Sequence, residues 1–217
     1  MKMRLSILCF AVSLALAVAV PAAAQVLYEN GPINGETDAW TINFGFIISD
    51  SFQISTGQSQ VTGFSFGAWL FPGDVLESVE VTLSSDELGT GTRYFDGTVN
   101  LTQSGCFLNN YSYDVCTETG SFSPTTLGNG TYWVTLGNAV VNDGDPVYWD
   151  ENSGVGCHSP GCPSTAVTSI LGTDPSEAFS ILGTTSGTGS SVPEPASLLL
   201  FTGGIFAFAG ILRRKLF

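Results

Sequence analysis

Between residues 25 and 183 the chain offers few groups able to do chemistry, and their types narrow the choice. His158 is the only histidine, and it lies in the run Cys157-His158-Ser159-Pro160-Gly161-Cys162. A Ser-His-Asp hydrolase needs an imidazole free to take and return a proton. A loop closed at Cys157 and Cys162, with Pro-Gly at its turn, holds the ring away from that task. Zinc would use Cys157, His158 and Cys162 together, whereas a disulfide makes the same six residues a stapled loop. Cys106 and Cys116 complete an even set in this stretch, and the expected bridges are the local pairs Cys106–Cys116 and Cys157–Cys162. Closing loops of about 11 and 6 residues stabilises by roughly 2 to 3 kcal/mol each. Lysine is absent between residues 25 and 183, which removes Schiff-base chemistry. No catalytic residue is assigned, and the expected protein is not an enzyme.

Carboxylates are plentiful. Eighteen of the nineteen acids fall in this stretch, against a single base, Arg93. A glycosidase needs two of them about 5 or 9 Å apart, and eighteen offer too many pairs to select one. Calcium takes six to eight oxygen ligands, often from loops. The densest oxygen cluster is Asn142-Asp143-Gly144-Asp145 with Asp150-Glu151-Asn152, so Asp143, Asp145, Asp150 and Glu151 are the candidate ligands. The spacing departs from the EF-hand loop, since Val147 stands where a third oxygen belongs. Trp149 beside Tyr148 is the candidate platform for stacking on a sugar ring. A net charge near −17 excludes nucleic acid as a partner, because phosphates need basic groups to neutralise them.

The remaining bases sit at the two ends. Lys2 and Arg4 precede an apolar core from Leu5 to Val20, followed by Pro21-Ala22-Ala23-Ala24. This is the layout of a secretory signal peptide, with small residues at Ala22 and Ala24 for cleavage before Gln25. At the other end, Ala196–Leu212 carries no charge and is followed by Arg213, Arg214 and Lys215. As a helix those residues span roughly 25 Å, at the short end of a membrane crossing, and the basic cluster places the terminus on the cytoplasmic side.

Val192-Pro193-Glu194-Pro195, then an apolar stretch, then Arg213-Arg214-Lys215, resembles the PEP-CTERM sorting signal of Gram-negative bacteria. The resemblance implies recognition of Pro193-Glu194-Pro195 by an exosortase-type membrane protease. It also implies an inner-membrane anchor with the domain in the periplasm, delivery to the cell surface or extracellular matrix after processing, and association with exopolysaccharide or biofilm. Leu27-Tyr28-Glu29-Asn30-Gly31-Pro32 and Gly63-Phe64-Ser65-Phe66-Gly67-Ala68-Trp69 look like the amino half of an exported domain found ahead of such tails. The expected layout is a signal peptide (1–24), one exported domain (25–183), a Ser/Thr/Gly linker (184–191) and the sorting tail (192–217) with a transmembrane helix over 196–212. A secreted glycan hydrolase and a calcium-dependent carbohydrate-binding module are the competing readings.

The elements that must position these groups are strands. Period-two alternation recurs at Trp40-Ile42-Phe44-Phe46-Ile48, at Val79-Val81-Leu83, and at Tyr132-Val134-Leu136, among others. Tyr111, Tyr113 and Val115 read as a further strand face. Turn signals separate them at Pro72-Gly73-Asp74, Gly89-Thr90-Gly91, Gly128-Asn129-Gly130 and Asn142-Asp143-Gly144-Asp145. The expectation is an all-β, antiparallel β-sandwich of jelly-roll type, flanked by the signal helix and the tail helix.

Overall fold

The computed structural model describes residues 24–185. The predicted signal peptide up to Ala23, the linker from Ser186 and the whole sorting tail lie outside those residues. With them fall Ala22, Val192, Pro193, Glu194, Pro195, Arg213, Arg214 and Lys215. Ala24 is exposed, and Gln25 opens the first strand.

Twelve strands follow in chain order: β1 (Gln25–Glu29), β2 (Asp38–Thr41), β3 (Ile47–Ile54), β4 (Ser59–Leu70), β5 (Leu76–Ser84), β6 (Arg93–Leu108), β7 (Asp114–Leu127), β8 (Gly130–Val141), β9 (Tyr148–Glu151), β10 (Ala166–Thr168), β11 (Gly172–Asp174) and β12 (Phe179–Thr185). A single 3₁₀ turn, Glu87–Gly89, follows β5. All pairings are antiparallel, in the order β1-β12-β4-β7-β6-β5-β8-β3-β10-β11. β9 occupies the β4 edge beyond β12 and carries β2 on its outer side.

One strand makes this a curled sheet rather than two separate ones. The first half of β6, Arg93–Asn100, pairs with β5, and the second half, Leu101–Leu108, pairs with β7. The two halves of the sheet thereby close over one core, sandwich-like, with β6 common to both. Alternation decides which side chains enter it. Val79, Val81 and Leu83 of β5 and Tyr132, Val134 and Leu136 of β8 point inward from one half. Phe64, Phe66, Ala68 and Leu70 of β4 with Phe179 and Ile181 of β12 point inward from the other. A bulge between Val61 and Gly63 shifts the alternation of β4, so that both Val61 and Phe64 are buried. Each fully buried Leu, Ile or Phe contributes roughly 1.5 to 3 kcal/mol by leaving water.

Two expected spans change. The alternating run from Trp40 to Ile48 is not one strand, because Asn43–Phe46 closes a turn through the Phe46 N–H to the Asn43 carbonyl (3.0 Å). Phe44 (φ 55°) and Gly45 (φ 86°) both adopt the left-handed region there, and Phe44 ends 65% exposed. At the far end, β12 runs through Thr184 and Thr185, which pair with Gln60 and Ser59. Both residues therefore belong to the sheet and not to the linker.

Candidate functional site

At one end of β4 four aromatic rings gather around an open cleft of about 400 Å³, lined by Trp69, Tyr111, Tyr113 and Tyr148 with Thr37 and Asp38. Trp69 comes from the end of β4, Tyr148 from the start of β9, and Asp38 from the start of β2. The two remaining tyrosines stand on the β6–β7 turn, which is organised by Asn109. Its side-chain oxygen accepts from the backbone N–H groups of Tyr111 (3.0 Å) and Tyr113 (2.9 Å), and its own N–H bonds the Tyr113 carbonyl (2.9 Å). Ser112 at φ 68° lets the chain reverse there. The Cys106–Cys116 disulfide staples the base of the same hairpin.

The rings are packed on one another. Tyr111 stacks on Trp69 with centroids 5.5 Å apart and planes 23° apart, while Tyr113 contacts Trp69 (5.8 Å), Phe71 (5.2 Å) and Tyr148 (5.7 Å). Tyr111 nevertheless remains 57% exposed, offering a fixed ring face to solvent. Burial, reinforced by Tyr113 and then Asp145, raises the Tyr148 pKa, so its hydroxyl stays protonated and able to donate. A rigid ring face beside hydroxyls and one carboxylate suits the apolar face and rim hydroxyls of a sugar.

Asp150 holds this floor in place from beneath. Its carboxylate accepts from the Trp69 indole N–H (2.6 Å) and from the backbone N–H groups of Asn34 (2.9 Å) and Gly35 (3.0 Å). Burial raises its pKa, and the three donors oppose that shift. Asp150 thus fixes both the Trp69 ring and the β1–β2 connection, and it is wholly buried.

That placement corrects two expectations. Asp150 and Glu151 do not join Asp143 and Asp145 as a loop cluster: β9 turns Asp150 into the interior, and Glu151 is buried beside Ser153, whose hydroxyl it accepts at 3.1 Å. The third carboxylate that meets Asp143 and Asp145 is Asp74, from the β4–β5 turn. Trp149 is not a sugar platform either. It is fully buried, edge-on to Phe66 (5.9 Å) and Phe179 (5.7 Å), with its N–H donated to the Ala178 carbonyl (3.1 Å). Its neighbour Tyr148 does line the cleft, on the opposite face of β9.

The bridges Cys106–Cys116 and Cys157–Cys162 are formed as expected, and His158 is exposed within the second loop. Gly63-Phe64-Ser65-Phe66-Gly67 has the letters of a nucleophile elbow, but an elbow is a strand-to-helix turn. Here Ser65 sits in mid-strand, paired with Thr119 on one side and Ser180 on the other. Sequence reasoning missed Trp69, Tyr111, Tyr113 and Asp38 as a group. Three separate segments supply them, and only the Tyr-x-Tyr beside Asn109 was a local signal.

Three further carboxyls are buried without full partners. Asp50 accepts from the Glu177 N–H (2.7 Å), yet its other oxygen and both Glu177 oxygens have none. Glu118 of β7 has no partner on either oxygen. Desolvation pushes Asp50 and Glu118 each up to about 7, and Glu177 well above the usual carboxylate range.

Comparison with known proteins places a family match at one end of the chain. Residues 191–215 match the PEP-CTERM protein-sorting motif. No curated protein matches the chain. The motif indicates an exported protein sorted by an exosortase, and it covers none of the β domain.

Proposed function

We propose that this chain is a non-enzymatic component of the cell envelope or extracellular matrix that holds exopolysaccharide in its aromatic cleft. Before processing, the 196–212 helix anchors it in the inner membrane with the β domain in the periplasm. Exosortase action at Pro193-Glu194-Pro195 then delivers it outward. The observation that carries the binding half of this reading is the Tyr111 ring, stacked on Trp69 yet open to solvent, beside Tyr113, Tyr148 and Asp38. Hydrolysis by paired carboxylates fits this cleft less well, because among the described residues Asp38 is the only carboxylate that lines it. A second groove, between Trp40, Phe46, Ile170 and Leu171, is apolar and offers little to orient a polar glycan.

Full-length protein in detergent, applied to immobilised neutral polysaccharides, tests the reading. Retention without release of reducing ends is expected, and Tyr111→Ala should weaken it about tenfold, the loss of roughly 1.4 kcal/mol, with an unchanged melting temperature. Equal retention of Tyr111→Ala and the wild type would remove the cleft from the account.

A further inference from the structure

At the edge formed by β4, β5 and β8, two turns meet. Phe71-Pro72-Gly73-Asp74 closes through the Asp74 N–H to the Phe71 carbonyl (3.0 Å), with Gly73 at φ 96° as a type II turn requires at its third position. Val141-Asn142-Asp143-Gly144 closes through the Gly144 N–H to the Val141 carbonyl (3.1 Å). The turns are tied together: the Asn142 side chain accepts from the Val75 N–H (2.8 Å), and the Asn142 N–H donates to the Val75 carbonyl (3.0 Å). Asn43 adds a third tie, donating its amide to the Asp145 carbonyl (2.9 Å).

This clamp sets one carboxylate oxygen of each of Asp74, Asp143 and Asp145 within 4.8 Å of the others. Two oxygens on a common calcium ion, each about 2.4 Å from it, are separated by no more than about that distance. Carboxylates crowded at a surface are common without an ion, but Asp74 is not a surface group. It is 8% exposed, and its Oδ2 is buried with no hydrogen-bond partner. A buried carboxylate with an unpaired oxygen, set beside two others, is costly unless a cation or a bound proton compensates it. No protein cation does so: among the described residues Arg93 is the sole Lys or Arg, and it pairs with Asp96.

We infer that Asp74, Asp143 and Asp145 form a divalent-cation site that takes calcium, with water and nearby carbonyl oxygens filling the remaining positions. The site has three carboxylates and an open outer side, which suits the weak range of extracellular modules, about 10⁻⁴ to 10⁻³ M. It shares no residue with the aromatic cleft, so the two can be tested separately. Calcium here pins the β4–β5 turn to the β8–β9 turn.

Thermal melting and calorimetric titration of the full-length protein in detergent, in chelator and then in calcium chloride, test the site. At calcium ten times the dissociation constant, a rise of roughly 5 °C is expected for a domain of this size. Asp74→Asn should abolish the rise and weaken binding at least tenfold, while melting in chelator no lower than the wild type, since it relieves carboxylate crowding. Asp143→Asn should lose the rise as well, and Asp86→Asn, on another turn, should keep it. A wild type that melts identically in chelator and in about 10 mM calcium, well above the expected range, would overturn the inference. So would an Asp74→Asn variant with the full response.

Discussion

Asp150 and Glu118 are both fully buried carboxyls, and their surroundings set them apart. Asp150 meets three N–H donors, whereas Glu118 meets none. Removing the first should therefore strand its donors: Asp150→Ala leaves the Trp69 indole and two backbone N–H groups unpaired, a loss of about 2 to 4 kcal/mol. Urea unfolding at pH 7 measures it, and an unchanged midpoint would show that water replaces the carboxylate. Removing the charge from the second should have the opposite sign. The folded pKa of Glu118 is pushed up to about 7 by desolvation, above the usual 4.5, so the folded protein binds this proton more tightly than the unfolded chain does. Its protonated form favours the fold fully below about pH 4, and that advantage is lost as pH rises to about 7. Asp50, also raised to about 7 and facing Glu177, acts in the same direction. The protein should accordingly be more stable near pH 4.5 than at pH 7.5. Glu118→Gln should stabilise it at pH 7.5 by something of order 2 kcal/mol and change little at pH 4.5. A pH-independent effect of Glu118→Gln would mean that Glu118 is solvated.

Strand positions were legible because a half-buried strand alternates, as β5, the first half of β4 and both ends of β8 do. The signal failed where both faces of a strand are covered. In β9 Trp149 enters the core while Asp150, on the other face, is capped by the β1–β2 connection, so successive side chains are both buried and the acidic stretch looked like a loop. It failed also at Asn43–Phe46, where an Asn-Phe-Gly turn interrupts a run whose hydrophobic spacing continues unbroken. The passage of β6 through both halves was invisible, since the bend depends on what the partner strands leave free. β7 makes room for it with Gly120: a Cβ there would lie 2.7 Å from Val99 Cγ1 and 2.8 Å from Phe64 Cε1. Gly120 has no special backbone angle to satisfy, so the constraint is space alone. Gly120→Val should consequently cost about 1 to 3 kcal/mol through overpacking, read as a lowered urea midpoint. Combining it with Val99→Ala should recover part of that loss, because the two changes share one volume. Strict additivity would place the crowding elsewhere.

For the molecule as a whole, the address and the cargo obey different rules. The tail motif was readable from order and spacing alone, since a protease recognises a short linear segment, and the match over residues 191–215 agrees. The aromatic cleft was not readable, because its rings come from β4, β9 and the β6–β7 turn and converge only on folding. The cargo has a complete hydrophobic core within residues 24–185, so a change in the motif should leave its folding untouched and alter only its fate. In a strain that has an exosortase, Glu194→Ala should accumulate an unprocessed, membrane-retained species of higher mass, while the melting temperature of the β domain stays at the wild-type value. Glu194→Asp is the sharper probe, because it keeps the charge between Pro193 and Pro195 and changes only its reach. Partial processing of Glu194→Asp, with none of Glu194→Ala, would locate recognition in the carboxylate itself. Normal processing of both would mean that the protease reads the prolines or the apolar stretch, and that the acidic residue between them is incidental.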